Sequence, residues 1–542
     1  MKRWNILSEY DSKLPLVDQI LKNRGIIDVS EFLNSPPISN YFDKFSQELR
    51  DSFIKAKEII NNSISENKTI VIYGDYDVDG ICSTSILFNT IKKELGYENI
   101  LYFIPNRFEH GYGLSRKAIE DFNNIHKIGK SLFITVDTGI TAQEEIKILK
   151  EMGHEVIVVD HHQKPDILPQ ADCFVWSEDV VASALSWILS KYLGSKDKRS
   201  IALAALATVT DVQPLLGFNR TIVKAGLSIM SQDPPIGIKE LLKVSGRQGL
   251  EVTTYDLGWV IGPRINASGR IVDANESLQL FINDDLKQVS EIAQKLNSLN
   301  EDRQEKTLSM YELASTFEDK ILPKIIFSES SDYHEGIIGL VAAKLSQKYY
   351  RPAVVISLSN GFGKGSVRSV KGFDVISFLR KFEPLFINLG GHPMAAGFSI
   401  EEGKLVELKQ KIFECIDEYL SDELLIPELN IDLKIPTELV DMKVFNSLEK
   451  MKPFGMGNEE PVFLSEGLGI AEINTIGKEN QHVRFKLFKD GKYFKAVYFD
   501  SFEKTRDFNF GDKIDVIYTI KKNEYNGNIY LDLIVKDLKK SI

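Results

Sequence analysis

Residues 69–80 read TIVIYGDYDVDG, a β-branched apolar run that breaks at Gly74 into three aspartates, Asp75, Asp77 and Asp79. The run is of strand length and apolar without alternation, the pattern of a strand buried on both faces. Just upstream, FIKAKEII places Phe53, Ile54, Ala56, Ile59 and Ile60 at helical spacing, so a helix feeds this strand. The arrangement recurs twice. SLFITV (131–136) ends in Asp137, a helix is expected through Ile140 to Met152, and EVIVV (155–159) ends in Asp160, followed by His161 and His162. Continuous apolar strands alternating with helices predict an α/β fold with a parallel sheet covered on both faces. The carboxyl ends of such strands line the ligand crevice, so the three acidic clusters are expected to meet at one site.

Carboxylates gathered in one place repel one another and resist burial unless cations neutralise them. Oxygen ligands suit Mg²⁺ or Mn²⁺, and an imidazole among them favours Mn²⁺. A further acid, Asp211, ends the apolar run ALAALATVT and precedes Val212, Gln213 and Pro214. This donor set is large enough for two divalent cations, which at a spacing of about 3.5 to 4 Å clamp a phosphoryl transition state, so phosphoester hydrolysis is the expected chemistry. DxDxDG also opens a calcium loop, but the glutamate needed at its twelfth position is replaced by Ile86, which argues against an EF-hand.

The chain has 542 residues, enough for several domains, with 43% hydrophobic and 26% charged residues, which excludes wholesale disorder. A formal charge of -11 is the wrong sign for a nonspecific nucleic-acid coat, so any such contact must be local. Cys82, Cys173 and Cys415 are widely spaced and form neither a disulfide framework nor a zinc motif, as expected in a reducing cytoplasm. No apolar stretch approaches a membrane span, and a soluble intracellular protein without membrane contact is expected.

Beyond the first block, SALSWILSKYL and IALAALATV read as apolar helices, and residues 278–318, free of Pro and Gly, as one long bridging helix. A second α/β block follows, with KIIF, the helix GIIGLVAAKLSQKYY, the strand AVVIS and a glycine-rich segment, NGFGKGSVRSVKGF. After Pro453, HVRFKLF, KYFKAVYF, KIDVIYTI and IYLDLIV read as strands, with turns at Lys489-Asp490-Gly491 and Asn526-Gly527.

Several segments suit a polynucleotide. GKGSVRS (363–369) offers backbone N–H groups, Ser366 and Arg368 to an anion, and LGGHPMAAGFS offers His392, which either donates to a phosphate or serves a tight helix start. GPRINASGRI carries Arg264 and Arg270, and PNRFEHGYGL carries Arg107 near Tyr112. Residues 471–542 hold 14 Lys+Arg against 11 Asp+Glu, with Tyr493, Phe494, Tyr498, Phe499 and Tyr530 among the strands. That composition matches strand-binding barrels, although about half of these aromatics are expected to fill the barrel core.

DYDVDG, VDTG, DHH and TDVQPL resemble, in order, the four motifs of the DHH phosphoesterase superfamily, and SVRS with GGHPMAAG resembles its associated domain. GPRINASGR, NSLNEDRQ and PFGMGNEEPVF before a barrel-like tail are similar to additions in its single-strand-specific exonuclease branch. The resemblance implies a DHH catalytic domain at 51–275, a connecting helix at 276–320, a DHH-associated domain at 321–425 and an OB-like domain at 426–542, after an N-terminal extension at 1–50. It implies Asp75, Asp77, Asp79, Asp137, His161 and Asp211 as ligands of two divalent cations, Mn²⁺ or Mg²⁺. Asp160 would orient a histidine, and His162 would contact the scissile phosphate and protonate the leaving group. Ser366, Arg368 and His392 would hold the nucleotide being removed, and Arg107, Arg264 and Arg270 the strand. Where many members have His two residues before the first motif aspartate, this chain has Tyr73. The implied activity is 5′-to-3′ hydrolysis of single-stranded DNA to 5′-mononucleotides by a monomer, in recombination and mismatch repair, with a helicase and a single-strand-binding protein as partners. A phosphodiesterase of short oligoribonucleotides, cyclic dinucleotides or pyrophosphate is the alternative enzyme, and a non-catalytic replication scaffold the alternative of another class.

Overall fold

The computed structural model describes residues 2–316, 322–525 and 527–541. Two units form, one of residues 36–425 and one combining residues 1–35 with 426–542. The expected 1–50 extension is therefore divided between them.

The larger unit opens on a five-stranded sheet. Its elements are β1 (Ile70–Gly74), α1 (Val78–Asn89), β2 (Ile100–Phe103), β3 (Leu132–Val136), α2 (Gln143–Glu151), β4 (Glu155–Asp160) and β5 (Cys173–Trp176). All pairings are parallel, in the order β2-β1-β3-β4-β5. The three aspartate-ending strands are thus adjacent at the centre, and the short strands β2 and β5 cover the edges. Ile70 and Ile72 pack into the core on one face of the sheet, and Val71 and Tyr73 into that on the other. That two-sided burial is why these strands read as unbroken apolar runs. Helices α3 (Ala182–Tyr192) and α4 (Ser200–Thr210) are buried almost throughout, and α5 (Gly262–Ile271) follows.

The bridging stretch is two helices, Asn275–Ile282 and α6 (Leu286–Ala314), rather than one. Asp285 makes the break: its side chain accepts from the backbone N–H groups of Lys287 and Gln288 and caps α6. The end of the stretch, residues 317–318, lies outside the described residues. The second lobe carries β6 (Ile326–Ser330), α7 (Ile338–Tyr349), β7 (Ala353–Ser359), β8 (Phe362–Arg368), β9 (Phe386–His392) and β10 (Ala395–Glu401). These strands form a mixed sheet in the order β9-β10-β8-β7-β6, in which only β6 and β7 run parallel.

In the smaller unit, β11 (Leu433–Lys434), β12 (Phe463–Ile476), β13 (His482–Lys489), β14 (Lys492–Tyr498), β15 (Lys513–Tyr525) and β16 (Asn528–Lys540) form one sheet that closes through β12 and β15. The β13–β14 hairpin turns at Asp490 and Gly491, with φ of 49° and 80°, as expected; the turn at Asn526 falls on a residue outside the described ones. Residues 2–35 join this unit through strand Arg3–Ile6, which pairs in parallel with Glu428–Ile431. Arg24 forks onto Asp432 with N–O distances of 2.7 and 2.8 Å, and both side chains are nearly buried. Replacing Arg24 by alanine leaves a buried carboxylate unpaired, so chemical unfolding of this unit should show a loss of roughly 3 to 5 kcal/mol. An unchanged midpoint would show that the N-terminal segment does not stabilise the barrel. No described helix is long and apolar enough to cross a membrane.

Candidate active site

The carboxyl ends of β1, β3 and β4 bring the acidic motifs together as expected. Asp77 starts α1, its Oδ1 accepting from the N–H groups of Asp79 and Gly80. Asp79, in the first turn of α1, reaches the first residues of α3, where Ala182 N and Ser183 N donate to its two oxygens at 2.8 and 2.7 Å. Asp137 follows β3 in the left-handed region, φ 58°, a conformation aspartate tolerates better than most residues. Asp211 caps the end of α4, and Val212 after it has φ 58°, strain of a kind found at functional sites.

Two overlapping groups of donor atoms result. Asp75, Asp77 and Asp137 bring carboxylate oxygens within 4.8 Å of one another, and so do Asp137, His161 and His162 with oxygen and imidazole nitrogen. Asp137 is common to both. Around His161 Nε2 stand oxygens of Asp137 at 3.2 Å, Asp79 at 3.6 Å and Asp211 at 3.7 Å. Burial, then the charge of Asp77, holds the Asp75 carboxyl well above the usual range. Burial, then Asp79, Asp77 and Asp75, does the same to Asp137, and burial with Asp79 and Asp77 lifts Asp211 to about 8. Asp75 is 1% exposed, and its Oδ1 has no hydrogen-bond partner. An orphaned buried oxygen among mutually repelling carboxyls fits bound divalent cations, and oxygen ligands with one or two imidazoles suit Mn²⁺ and Mg²⁺.

Asp160 is fully buried and takes a different part. It accepts from Ile140 N at 3.0 Å, His161 N at 2.7 Å, His162 N at 3.1 Å and His162 Nδ1 at 2.7 Å. Burial opposes its charge, but the hydrogen bond and charge of His162, together with the backbone N–H groups of Ile140 and His162, outweigh it and leave the carboxyl below its usual value. Burial likewise opposes charge on His162, yet the hydrogen bond and charge of Asp160 raise that imidazole to about 9. Tyr73 is buried in the core on one face of the sheet, its hydroxyl donating to Gly113 O at 3.0 Å.

Beside this centre lies a cleft of about 610 Å³, lined by Arg107 and Arg270 from the first lobe and Lys364, Ser366, Arg368 and Asn388 from the second. Burial and then the neighbouring Arg107 charge lower Arg270 to about 10 and also depress Arg368. Arginines held together against their own repulsion, with few acids among them, suit a phosphate. Gly339, in the first turn of α7, permits the close approach: a side chain there would come within 3.1 Å of Ser366 Oγ and 3.2 Å of Arg368 Nη2. Its place in the cleft wall was not read from the sequence, although two glycines at the start of an apolar helix were the available signal. Two expected members are not among the residues lining this cleft. Arg264 is tied to Asn297 Oδ1 and Val260 O, and His392 is exposed at the end of β9. Tyr112, whose hydroxyl lies 2.8 Å from His162 Nε2, joins the site instead.

In the barrel, Phe494 and Tyr498 belong to the core, whereas Tyr493, Phe499 and Tyr530 are exposed. Tyr493 and Tyr530 line a groove of about 710 Å³ with Arg484, Lys486, Lys492 and Lys495. Lys486 lies 4.9 Å from the Tyr493 ring centre and Lys495 4.5 Å from that of Tyr530.

Comparison with known proteins follows the same division. Residues 69–209 match the DHH family, N-terminal domain, residues 322–421 the DHHA1 domain, and residues 431–537 the RecJ OB domain. The single-stranded-DNA-specific exonuclease RecJ of Bacillus subtilis is 31% identical over 96% of this chain and 68% of its own length. The protein of the same name from Salmonella typhimurium is 30% identical over 97% and 96%. The crystal structure of RecJ in complex with Mn²⁺ from Thermus thermophilus superposes with a TM-score of 0.83 at 27% identity, covering all of this chain and 80% of that one; an Mg²⁺ complex from the same organism gives 0.77 at 26%. With three domain matches in order and this identity along nearly its whole length, the chain belongs to the RecJ family of DHH phosphoesterases.

Proposed function

We propose that this protein is a Mn²⁺- or Mg²⁺-dependent exonuclease that removes 5′-mononucleotides from single-stranded DNA in the 5′-to-3′ direction. The observation that carries the proposal is the placing of Asp137 in both donor groups, beside a cleft whose cations come from both lobes. Asp75, Asp77, Asp79, Asp137, His161 and Asp211 would hold two cations. The chemistry those cations supply when bound is a nucleophilic water at neutral pH and neutralisation of charge on the phosphoryl group.

The remaining steps belong to the chain's own groups. Asp160 holds His162 through Nδ1, which leaves Nε2 to donate to a phosphoryl oxygen and to protonate the leaving oxygen. Arg107, Arg270, Ser366 and Arg368 bind the phosphate of the terminal nucleotide, which places the next linkage over the carboxylates. The exposed tyrosines and lysines of the barrel groove favour stacked, unpaired bases over duplex. That groove also distinguishes a long strand from short oligoribonucleotides or cyclic dinucleotides, and the complete acidic motifs oppose a scaffold role. We place the activity in the cytoplasm, in recombination and mismatch repair, where a helicase supplies single strands and a single-strand-binding protein holds them.

Replacing Arg368 by alanine removes a charge-assisted contact worth about 1.5 to 3 kcal/mol, so KM for a 5′-phosphorylated strand should rise roughly 10- to 150-fold. The same KM for the variant would exclude Arg368 from the phosphate site. The proposal as a whole is tested by incubating end-blocked DNA oligonucleotides with Mn²⁺. Mononucleotides should appear from single strands with a free 5′ end, and blocking that end or pairing the strand should stop their release. Release from 3′ ends only, or equal attack on duplex, would overturn it.

A further inference from the structure

The imidazole that faces the cleft is already engaged on both nitrogens: Asp160 holds Nδ1 at 2.7 Å, and the Tyr112 hydroxyl lies 2.8 Å from Nε2. An imidazole nitrogen offers one hydrogen-bonding position, so a phosphoryl oxygen reaches Nε2 only by taking the place of the Tyr112 hydroxyl. Tyr112 is built to be exchanged. It is 59% exposed, and Gly111 and Gly113 on either side have φ of 81° and 75°. Its loop is pinned on both flanks. His110 Nδ1 accepts from Asn106 N and its Nε2 meets Asp121, while Gly113 O accepts from the Tyr73 hydroxyl and Leu114 N donates to Thr138 Oγ1. Free movement is therefore confined to the three residues that carry the tyrosine. The ring stands edge-on to Tyr76, with centroids 6.2 Å apart, and the Arg107 guanidinium lies 5.4 Å from the Tyr76 ring centre. A strand that binds Arg107 thus meets this aromatic pair on its way to His162.

We propose that Tyr112 is a positioning residue that latches His162 in the resting enzyme and is replaced on Nε2 by an oxygen of the scissile phosphate. The proposal rests on the exonuclease reading above. In the resting site, Asp160 on Nδ1 and Tyr112 on Nε2 together fix the ring. In the substrate complex the phosphate takes over that hold, and the tyrosine ring is free to pack against a base. Tyr73, through its hydrogen bond to Gly113 O, anchors one end of the latch.

The test is steady-state hydrolysis of a 5′-phosphorylated single strand with Mn²⁺ by Tyr112→Phe, which keeps the ring and loses the hydroxyl. Without the hydroxyl competing for Nε2, KM should fall about two- to tenfold, the range of one exchanged hydrogen bond, with a smaller change in kcat. A kcat loss of tenfold or more at constant KM would make the hydroxyl a donor in the chemical step and overturn the latch, as would unchanged KM and kcat. A wild-type protein with no activity on the strand would instead remove the exonuclease reading, and the latch with it. If the variant does not fold, the wild-type protein labelled with ¹⁵N-histidine decides. The His162 Nε2 resonance, identified by its loss in His162→Asn, should shift when a phosphorothioate-linked, 5′-phosphorylated strand is added. No shift on saturation with that strand would overturn the proposal.

Discussion

Replacing Asp137 by asparagine is expected to lower turnover on single-stranded DNA by on the order of 10³-fold or more while leaving the fold intact. Its carboxylate is the element common to the two donor groups, so its loss removes a ligand from both positions at once. Asparagine is the right replacement because the residue sits at φ 58°, a conformation that asparagine also tolerates and alanine would adopt at a cost of about 1 to 2 kcal/mol. The backbone bond from Asp137 N to Val159 O is kept. A second effect runs in the opposite direction. Burial and four neighbouring aspartates push the Asp137 carboxyl upward, so removing its charge relieves repulsion in the cation-free protein. The variant should therefore melt at a higher temperature than wild type without divalent cations and gain less on adding Mn²⁺. Activity within a few-fold of wild type, or an undiminished gain with Mn²⁺, would remove Asp137 from the centre.

The second large effect is expected at Asp160. Its carboxylate accepts three backbone N–H groups and the Nδ1 proton of His162 while fully buried. Asparagine offers one acceptor oxygen where two are used, and turns an amide donor toward donors. The β4 turn loses hydrogen bonds worth about 1 to 3 kcal/mol, and His162 loses the partner that fixes its ring. Turnover should fall by on the order of 10² to 10⁴, the range seen when a buried carboxylate that orients a catalytic histidine is neutralised. Unlike Asp137→Asn, this variant should melt at a lower temperature than wild type, while Mn²⁺ should still raise its melting point. Calorimetry with and without Mn²⁺ separates the two variants, and an Asp160→Asn protein with wild-type kcat would show that His162 needs no orientation.

The convergence of the acidic motifs was legible because its physics is local. An apolar strand buried on both faces cannot alternate, and an acid at its end stands out; three such endings in one sheet meet wherever the strands are adjacent. The edge strands β2 and β5 escaped for the converse reason, since each has only four residues and is partly exposed. GKGSVRS looked like a flexible anion loop but is the regular strand β8, and Gly365 serves packing there, as a side chain at that position would run into the Phe398 ring. His392 stood in a glycine-rich run for the same kind of reason: the run is a hairpin, and its tip faces solvent. The joining of residues 2–35 to a barrel more than 400 positions away leaves no periodicity to read. Tyr112 was legible as an aromatic beside Arg107, but its place on His162 was not, because that follows from where Tyr73 and His110 pin the loop.

One carboxylate cluster that holds two divalent cations through a shared Asp137 has a definite metal stoichiometry and magnetic signature. Equilibrium titration with Mn²⁺, followed by electron paramagnetic resonance, tests it most directly. Two Mn²⁺ ions should bind per chain and give the spectrum of an exchange-coupled pair, which is lost in Asp137→Asn. One bound ion, or two ions without coupling, would contradict it.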